Sequence, residues 1–313
     1  MNQTGNTTQM YDTIIIGAGI AGMTAAIYAA RKKMQFKLIS SSFGGQFYES
    51  GEILNYPGIV QTTGAEFSSV MEEQMKFNNI TVCSETVSSI TREKTDFVVH
   101  TDTASHLTHT VIIATGAKPR KLGIPGEEKF NKRGVTYCSI CDGPLFAGKE
   151  VAVVGGGDSA LEAVDFLKDI VKHIHLVVRD NAFTAHQYLQ DRVEKLENVT
   201  VHFCSDTKRI EGDAFVESIV VAKNDTEENI EVQGVIVEIG RMPNTAAFKD
   251  IVTLGKSGHI QIDCQGHTDI PGIFAAGDCA SGQEYQYVIA AGQGCMALIK
   301  AARYLTTLRE DAR

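Results

Sequence analysis

The chain has 313 residues, enough for two domains that each bury a core of their own. Its formal net charge of −9 argues against nucleic acid as the main partner, because binding to phosphate backbones needs a basic surface. No apolar run approaches the ~20 residues of a membrane span, and the polar stretch 1–10 reads as a loose tail without signal-peptide features, so we expect a cytoplasmic protein that does not enter a membrane.

The first elements of the chain form a pattern typical of dinucleotide binding. An apolar run at 11–16 predicts a strand, GAGIAG follows, an alanine-rich stretch at 23–31 predicts a helix, and residues 36–39 predict a second strand. In such a loop the first glycine makes a tight turn, the second lets backbone N–H groups approach a pyrophosphate, and the third allows close helix–strand packing. The glycines in these positions are Gly17, Gly19 and Gly22.

The same pattern recurs about 138 residues later, with a predicted strand at 151–154, the sequence GGGDSA, a helix from Leu161 and a strand at 173–178. Ala160 replaces the third glycine, a variant that the fingerprint allows. One copy of such a loop is also compatible with an ordinary glycine turn. Two copies, each between a strand and a helix, favour an α/β protein with two Rossmann-like nucleotide-binding domains.

Ribose recognition by this motif usually needs an acidic residue near the end of the second strand. The first copy offers only ISSS at 39–42, without a carboxylate, whereas the second copy offers Arg179 and Asp180. Asp180 suits a free 2′-hydroxyl and would repel a 2′-phosphate, while Arg179 does the opposite. These residues therefore leave NADH and NADPH both open.

Three further apolar segments, at 111–116, 235–240 and 273–278, predict strands. The first two are followed by glycine or proline breaks, as expected where a chain passes from one domain to another. The alanine-rich stretch 288–308 predicts a final helix.

The seven cysteines include one close pair, Cys138 and Cys141. In a chain with two nucleotide motifs, this CxxC predicts a redox-active dithiol, and not half of a zinc site, because the sequence has no second CxxC and no HxxxH. We therefore predict no metal. Asp142 follows directly and is either an acid that protonates a thiolate or flavin, or simply a turn carboxylate. The other five cysteines are expected to be small buried hydrophobic residues.

Together these segments resemble the low-molecular-weight thioredoxin reductase family and the flavoprotein part of the bacterial alkyl hydroperoxide reductase flavoenzyme. The resemblance implies an FAD-binding domain made of residues 1–120 and 245–313, and an inserted NAD(P)H-type domain at 121–244 that carries the CxxC. The matching segments are GAGIAG at 17–22, FGGQ at 43–46, NYPG at 55–58, ATGAKPR at 114–120, IPGEEKF at 124–130, VTYCSICDG at 135–143, GGGDSA at 155–160 and PGIFAAGDCA at 271–280.

The resemblance also implies roles for single residues. Cys141 would be the thiol nearest the flavin, Cys138 the one that attacks a partner's disulfide, and Asp142 the family's acid. The residues implied at the FAD site are Gly17, Gly19, Gly22, Gly45, Gln46, Asn55, Thr115, Gly116, Gly277, Asp278 and Gln286. Those implied at the nicotinamide-nucleotide site are Gly155, Gly157, Asp158, Ser159, Ala160, Arg179 and Asp180.

One departure from the family concerns the nucleotide. NADPH-using members carry an HRRxxFRA-like stretch, where this chain has VRDNAFTA at 178–185 and keeps only Arg179 of the three arginines. Losing two guanidinium groups removes the fork geometry that suits a phosphate. The peroxide-reductase relatives, which use NADH, also lack these arginines, but they carry an acid at the position of Val178.

A second departure is that the FAD motif begins by Tyr11, which leaves no room for the N-terminal thioredoxin-like domain of the peroxide-reductase flavoenzyme. We therefore expect delivery of electrons to a separate thioredoxin or glutaredoxin-like protein. The resemblance further implies a homodimer and a rotation of one domain against the other, with candidate hinges at Ala117–Gly123 and Arg241–Phe248.

The resulting hypothesis is a thioredoxin reductase-like enzyme that passes electrons from NADH or NADPH through FAD and the dithiol to a protein disulfide. One alternative is a flavin thioredoxin reductase that takes its electrons from ferredoxin and has a non-functional nucleotide site. Another is a non-enzymatic redox sensor that binds FAD.

Overall fold

The structure, a computed structural model, describes residues 9–50, 52–53, 55–224, 226–282 and 285–311. Residues 1–8, most of the expected polar tail, lie outside this range, and so does the side chain of Cys141. The chain divides into two compact units. Unit 1 consists of the residues up to Lys118 together with those from Met242 onward, and unit 2 consists of Pro119–Arg241.

Strands and helices alternate along most of the chain. The strands are β1 (Met10–Ala18), β2 (Phe36–Phe43), β3 (Glu52–Ile53), β4 (Thr62–Thr63), β5 (Val82–Cys83), β6 (Val87–Glu93), β7 (Asp96–Thr101), β8 (Ser105–Ile113), β9 (Ala117–Pro119), β10 (Val135–Thr136), β11 (Glu150–Val154), β12 (His173–Val177), β13 (Val199–His202), β14 (Asp206–Glu211), β15 (Ser218–Lys223), β16 (Thr226–Glu231), β17 (Gly234–Val237), β18 (Arg241–Pro243) and β19 (Ile273–Ala275). The α-helices are α1 (Ile20–Arg31), α2 (Gly64–Phe77), α3 (Ser139–Asp142), α4 (Asp158–Leu167), α5 (Gln187–Val193) and α6 (Tyr287–Asp311). Within the described ranges, no helix has both the length and the apolar character needed to cross a membrane.

The main sheet of unit 1 has the order β5-β2-β1-β8-β7-β6, and β19 also pairs with β8. The central strand β1 is parallel to β2 and to β8. Ile15 packs in the core cluster that includes α1 and α6, whereas Ile14 and Ile16 pack in the cluster on the opposite face. Because both faces of β1 are buried at its centre, the three consecutive residues Ile14–Ile16 are all apolar and do not alternate with polar residues.

The main sheet of unit 2 is parallel throughout, with the order β10-β17-β11-β12-β13. Its central strands are also buried on both faces, since Val151 and Val153 join one core cluster while Ala152 and Val154 join another. A second, antiparallel sheet of β14, β15 and β16 completes the unit. Both units are therefore α/β, each built on a sheet with a parallel core.

Each glycine loop connects a central strand to a helix, as the sequence predicts. The helices begin earlier than expected, with α1 starting at Ile20 and α4 at Asp158, so parts of both motifs form the first helical turns. The strands predicted at 111–116, 235–240 and 273–278 end earlier, at Ile113, Val237 and Ala275. The residues that follow them lie in loops beyond the carboxyl ends of the strands, where α/β folds bind ligands.

Candidate functional site

The first glycine loop makes a tight turn between β1 and α1. Gly17 has a φ of +107°, and a Cβ atom on it would lie 2.3 Å from the carbonyl oxygen of Ala114. A Cβ atom on Gly22 would lie 1.8 Å from the carbonyl oxygen of Gly17. Around Gly19, in contrast, no described atom lies within 4 Å of the place where a Cβ would stand. The outer glycines close the turn, and the middle one leaves an open approach to the start of α1.

Three of the other residues expected at the FAD site approach this loop or each other. Gly45, with a φ of +57°, comes so near the loop that its Cβ would lie 3.3 Å from the Cα of Gly19. The side-chain amide of Asn55 donates to Oε1 of Gln286 at 3.3 Å, although the two residues are 231 positions apart. Both of these amide side chains are exposed, so they are accessible to a ligand.

Thr115 and Gly116, which follow β8, are bound to a segment from the far side of the insertion. The Thr115 hydroxyl donates to the carbonyl oxygen of Asn244 at 2.7 Å, and the Asn244 N–H donates to the carbonyl oxygen of Gly116 at 2.9 Å. The side-chain amide of Gln46 donates to the carbonyl oxygen of Ala117. These bonds connect three sequence segments of unit 1.

Gly277 and Asp278 lie in a short 3₁₀ turn after β19. Gly277 has a φ of +74°, and its N–H donates to Oε1 of Gln293 at 2.7 Å. A Cβ on Gly277 would lie 3.1 Å from the Cβ of Ala21 in α1. Gln293, which the sequence analysis missed, is a polar residue on an alanine-rich helix, and that contrast is the only signal the sequence offered for it.

The geometry of this loop fits an anionic dinucleotide. Helix α1 has no acidic residue in its first turn, and no described side chain caps it. The first N–H groups of a helix have no partner within the helix, and they carry the positive end of its dipole. The start of α1 and the open side of Gly19 can therefore hold a pyrophosphate such as that of FAD.

The second glycine loop repeats the tight turn in unit 2. Gly155 has a φ of +146°, and its Cβ would lie 2.2 Å from the carbonyl oxygen of Glu238. Ala160 is fully buried in the place of the third glycine. Gly157 caps α4, and the nearest atom to its missing Cβ is Oγ1 of Thr184 at 3.6 Å. This middle glycine therefore has room for the close approach of a ligand.

Asp158, the first residue of α4, is held by His186. Its carboxylate accepts the backbone N–H of His186 and contacts the ring Nδ1, each at 2.7 Å, and these contacts lower the pKa of Asp158. The Thr184 N–H donates to the carbonyl oxygen of Gly156 at 2.8 Å, which also binds this segment to the glycine loop. Ser159 is exposed. His186 was missed because nothing in its local sequence indicates a partner 28 residues away.

Arg179 and Asp180 lie one residue beyond the end of β12 and form an exposed ion pair, with Nη2 and Oδ2 3.8 Å apart. The preceding Val178 is buried, and a Cβ on Gly156 would lie 2.8 Å from its Cγ1. Arg179 and Asp180 therefore lie near the second glycine loop, where they contribute one positive and one negative charge.

The two cysteines of the expected dithiol follow β10, with Cys138 just before α3 and Cys141 within it. Cys138 is disulfide-bonded, and its N–H donates to Oγ1 of Thr136 at 3.2 Å. The Thr136 hydroxyl in turn donates to the carboxylate of Asp142, which is partly buried. The backbone of Cys141 belongs to α3, while its side chain lies outside the described part of the chain. Thr136, which the sequence analysis did not single out, therefore connects two of the three predicted catalytic residues.

A buried carboxylate holds the strand that leads to the dithiol. Glu127, which is 3% exposed, accepts the N–H groups of Leu122 and Gly123 at 2.8 and 2.7 Å. It also accepts the hydroxyl of Tyr137 at 2.8 Å. Burial and this hydrogen bond raise the pKa of Tyr137 well above its usual value. Tyr137, the residue before Cys138, is thus held in place by a buried carboxylate of its own unit.

The five other cysteines are less buried than expected. Cys279 is fully buried, and burial raises the pKa of its thiol. The prediction is wrong for the remaining four, since Cys83 and Cys295 are partly buried and Cys204 and Cys264 are exposed. Cys204 has a φ of +55° and lies in a turn, a position that the apolar character of a cysteine does not reveal.

Comparison with known proteins places these features in a family. The profile of the family described as "Pyridine nucleotide-disulphide oxidoreductase" matches residues 11–295. A Bacillus subtilis (strain 168) protein named NADH dehydrogenase is 38% identical over 298 residues, which cover 94% of this chain and 58% of that protein. A Staphylococcus aureus (strain MSSA476) protein named as part of alkyl hydroperoxide reductase is 39% identical over 300 residues, covering 94% of this chain and 59% of that protein. The chain thus spans less than two thirds of these curated relatives.

The crystal structure of Lactococcus lactis thioredoxin reductase in its FR conformation superposes with a TM-score of 0.82 at 34% identity, covering 95% of this chain and 99% of that one. This likeness confirms the predicted fold class of two Rossmann-like domains, as well as the resemblance to low-molecular-weight thioredoxin reductases. The family match contains both glycine loops and Cys138. The chain belongs to the pyridine nucleotide-disulphide oxidoreductase family.

Proposed function

We propose that this chain reduces the disulfide of a separate thioredoxin- or glutaredoxin-like protein, using NADH as the electron donor and FAD as its bound cofactor. The observation that carries the proposal is the disulfide-bonded Cys138 at the carboxyl edge of the unit 2 sheet. The second glycine loop leaves the same edge, because β10 and β11 are both parallel neighbours of β17. The disulfide-bonded cysteine and the glycine loop proposed to bind the nucleotide therefore share one end of one domain.

The cofactor site is proposed to lie in unit 1. Bound FAD supplies a carrier that accepts two electrons from a nicotinamide and donates them to a disulfide. The start of α1 would hold its pyrophosphate, and the paired amides of Asn55 and Gln286 would lie toward its ring. The other residues proposed to line the site are Gly17, Gly19, Gly22, Gly45, Gln46, Thr115, Gly116, Gly277 and Asp278.

NADH is favoured over NADPH by the charges beside the second glycine loop. The guanidinium of Arg179 is paired with Asp180, so this site offers little net positive charge to a 2′-phosphate. The Asp180 carboxylate can accept the ribose hydroxyls of NADH. Thr184 occupies the position of the third family arginine, and its N–H is bonded to Gly156. The B. subtilis relative is named NADH dehydrogenase, which agrees with NADH as the proposed donor.

The dithiol chemistry is proposed to divide between the two cysteines. The Cys138 thiolate attacks the partner's disulfide and forms a mixed disulfide, and Cys141 then attacks Cys138 to release the reduced partner. Asp142 is connected to the backbone of Cys138 through Thr136, and it is the residue proposed to give and take protons at sulfur. Thr136 orients the carboxylate for this role.

The test is anaerobic stopped-flow mixing of the FAD-loaded protein with NADH and, separately, with NADPH. We expect the second-order rate constant for bleaching of the flavin absorbance to be at least about tenfold higher with NADH than with NADPH. The reason is that the Asp180 carboxylate repels the 2′-phosphate, and an unfavourable charge contact of about 1.4 kcal/mol corresponds to a factor of ten. Replacing Asp180 and Thr184 together by arginine should reverse the preference.

Each other outcome points to a different function. Bleaching by reduced ferredoxin alone would support the ferredoxin-dependent alternative. Bleaching by NADH without reduction of any thioredoxin- or glutaredoxin-like protein would support a redox sensor and contradict the proposed partner.

A further inference from the structure

Glu238, a carboxylate with no role in the proposed function, lies beside the dithiol. It follows the last residue of β17, whose register with β10 pairs Ile236 with Thr136. The last pair of this parallel register is two residues short of Glu238 and of Cys138, so the same register continued would align these two residues. The backbone N–H of Ser139, the residue after that cysteine, donates to the Glu238 carboxylate.

The opposite edge of β17 places Glu238 beside the nucleotide loop. Val237 pairs with Val154, the last residue of β11, and the N–H of Glu238 donates to the carbonyl oxygen of Val154 at 2.8 Å. The next residue along β11 is Gly155, which approaches the Glu238 carbonyl so closely that it has no room for a Cβ. Glu238 thus lies between the CxxC segment and the GGGDSA loop, directly after the strand that pairs with β10 on one side and β11 on the other.

The charge of Glu238 is poised to change near neutral pH. Burial raises the pKa of its carboxyl to about 7. The guanidinium of Arg241 and the N–H of Ser139 oppose this shift, while the carboxylate of Glu162 on α4 adds to it. The pKa of Glu162 is itself raised, chiefly by burial and then by Asp158.

We propose that Glu238 is a positioning residue that controls how readily the Cys138 disulfide is reduced, acting on the dithiol through Ser139. The proposal takes only the role of the dithiol from the proposed function. Reduction breaks the S–S bond and adds two electrons, which come from the nicotinamide donor in turnover or from glutathione in the test below. The two sulfurs take up two protons at low pH, and one proton where one of them remains a thiolate.

The sign of the effect follows from electrostatics. An ionised Glu238 disfavours a thiolate beside it, so it raises the thiol pKa and makes the disulfide harder to reduce. Below the pKa of Glu238 the carboxyl is neutral and the thiols are protonated, so the effect disappears. The Glu238 charge therefore keeps the dithiol a strong reductant in neutral to alkaline solution and has little influence in acid.

The experiment equilibrates the whole protein, without oxygen, with mixtures of reduced and oxidised glutathione at about pH 6 and about pH 8.5, on either side of the Glu238 pKa. The redox state of Cys138 is read by alkylation and mass spectrometry of its peptide. In the Glu238→Gln variant, the ratio of dithiol to disulfide should rise about tenfold at the higher pH, the effect of one pKa unit, and less than about twofold at the lower pH.

A matched control removes a carboxylate of the same unit that is exposed, in the variant Glu194→Gln, which should follow the unmodified protein at both pH values. A second variant, Ser139→Pro, deletes the N–H donor at the first position of α3, where proline is tolerated. Without that hydrogen bond the pKa of Glu238 rises. When the equilibration is repeated at pH values between these two, the pH at which the plot of the dithiol-to-disulfide ratio against pH changes slope should therefore move upward.

The proposal is overturned if Glu238→Gln matches the unmodified protein at both pH values, or if it shifts the dithiol-to-disulfide ratio equally at both. It is also overturned if Ser139→Pro does not move the pH at which the plot of this ratio changes slope. None of these readouts uses a nucleotide or a protein partner. Failure of the proposed function would therefore appear in the stopped-flow experiment and leave this titration interpretable.

Discussion

At the scale of single residues, the hydroxyl of Thr136 has an organising role out of proportion to its size. It accepts the N–H of Cys138 and donates to the carboxylate of Asp142, so one side chain sets the positions of a sulfur-bearing residue and of its proposed acid. Thr136 is 5% exposed, so water cannot readily replace either bond. A buried polar group that loses its partner costs about 1–3 kcal/mol.

Replacing Thr136 by valine tests this role, because valine has nearly the same shape but no hydroxyl. We expect the free energy of unfolding to fall by about 1–2 kcal/mol and the rate of disulfide reduction to fall about tenfold. The rate is measured with an oxidised thioredoxin-like substrate, and stability by denaturant titration. Thr136→Ser restores the hydroxyl and should recover most of the rate, and equal rates for the valine and serine variants would contradict the assignment.

The residues that the sequence analysis found and those it missed differ in one physical respect. Gly17 and Gly155 are recognisable because their neighbours in the chain determine what they do. Gln293 and His186 act through partners 16 and 28 residues away, so their roles appear only when the helix or loop folds back onto a glycine turn. The role of Glu238 likewise depends on the register of β17 with two other strands.

At the scale of elements, the contact of α1 with α6 depends on a glycine. A Cβ on Gly294 of α6 would lie 2.0 Å from the carbonyl oxygen of Ala21, in the first turn of α1. Alanines of both helices, including Ala25 and Ala297, are fully buried in the same core cluster. The close approach fixes the first turn of α1, which is the part that would hold the cofactor's pyrophosphate.

Two alanine substitutions on α6 form a matched pair. Gly294→Ala forces the helices apart, and we expect it to lower the free energy of unfolding by about 2–3 kcal/mol and to weaken retention of FAD. Gly292→Ala places its methyl group where no described atom lies within 4 Å, so the better helix propensity of alanine should add up to about 1 kcal/mol. Denaturant titration and the ratio of flavin to protein absorbance measure both effects. Equal stability of the two variants would show that the glycine contact is not needed.

The ends of strands, and strands with little apolar pattern, were the parts of the fold that the sequence predicted least well. Strand β8 was expected to reach residue 116, but it ends at Ile113, and Thr115 and Gly116 bond to Asn244, a partner that the local sequence does not reveal. The antiparallel strands β14 to β16 were not predicted. Strand β16 is mostly exposed and shows little apolar pattern, whereas β15 is mostly buried and its short apolar run was passed over. Strands buried on both faces, such as β1 and β11, give the clearest signal.

At the scale of the whole molecule, unit 1 is assembled from both ends of the chain. Strand β19 pairs with β8 in parallel, with Ile273 opposite Val111, so residues beyond the insertion complete a sheet begun before it. The two Gly/Pro breaks indicated passages between domains, and the family resemblance implied a domain made of both chain ends. The pairing partners of β19 are set by packing and could not be derived from its own residues. The dithiol and the second glycine loop both belong to the inserted unit.

The proposed direction of electron flow out of the molecule makes the two cysteines unequal, and trapping can detect the difference. The probe is a thioredoxin whose single remaining cysteine carries 5-thio-2-nitrobenzoate. Attack by the Cys138 thiolate forms a mixed disulfide between the proteins and releases the coloured thiolate. In a Cys141→Ser variant nothing resolves that bond, so we expect nearly complete capture. In Cys138→Ser, capture should be at least about tenfold slower, because Cys141 is proposed to act toward the flavin.

Two exposed thiols could imitate this result, since Cys204 and Cys264 are also accessible to a partner. Both trapping variants are therefore made in a background where these two residues are serine, and the background protein alone should not accumulate the adduct. Mass spectrometry of the adduct identifies the cross-linked cysteine directly. Capture that is equally fast with Cys138→Ser, or an adduct at a residue other than Cys138, would reverse the assigned order of the two sulfurs, because the sulfur that meets the partner must be the one that forms the bond.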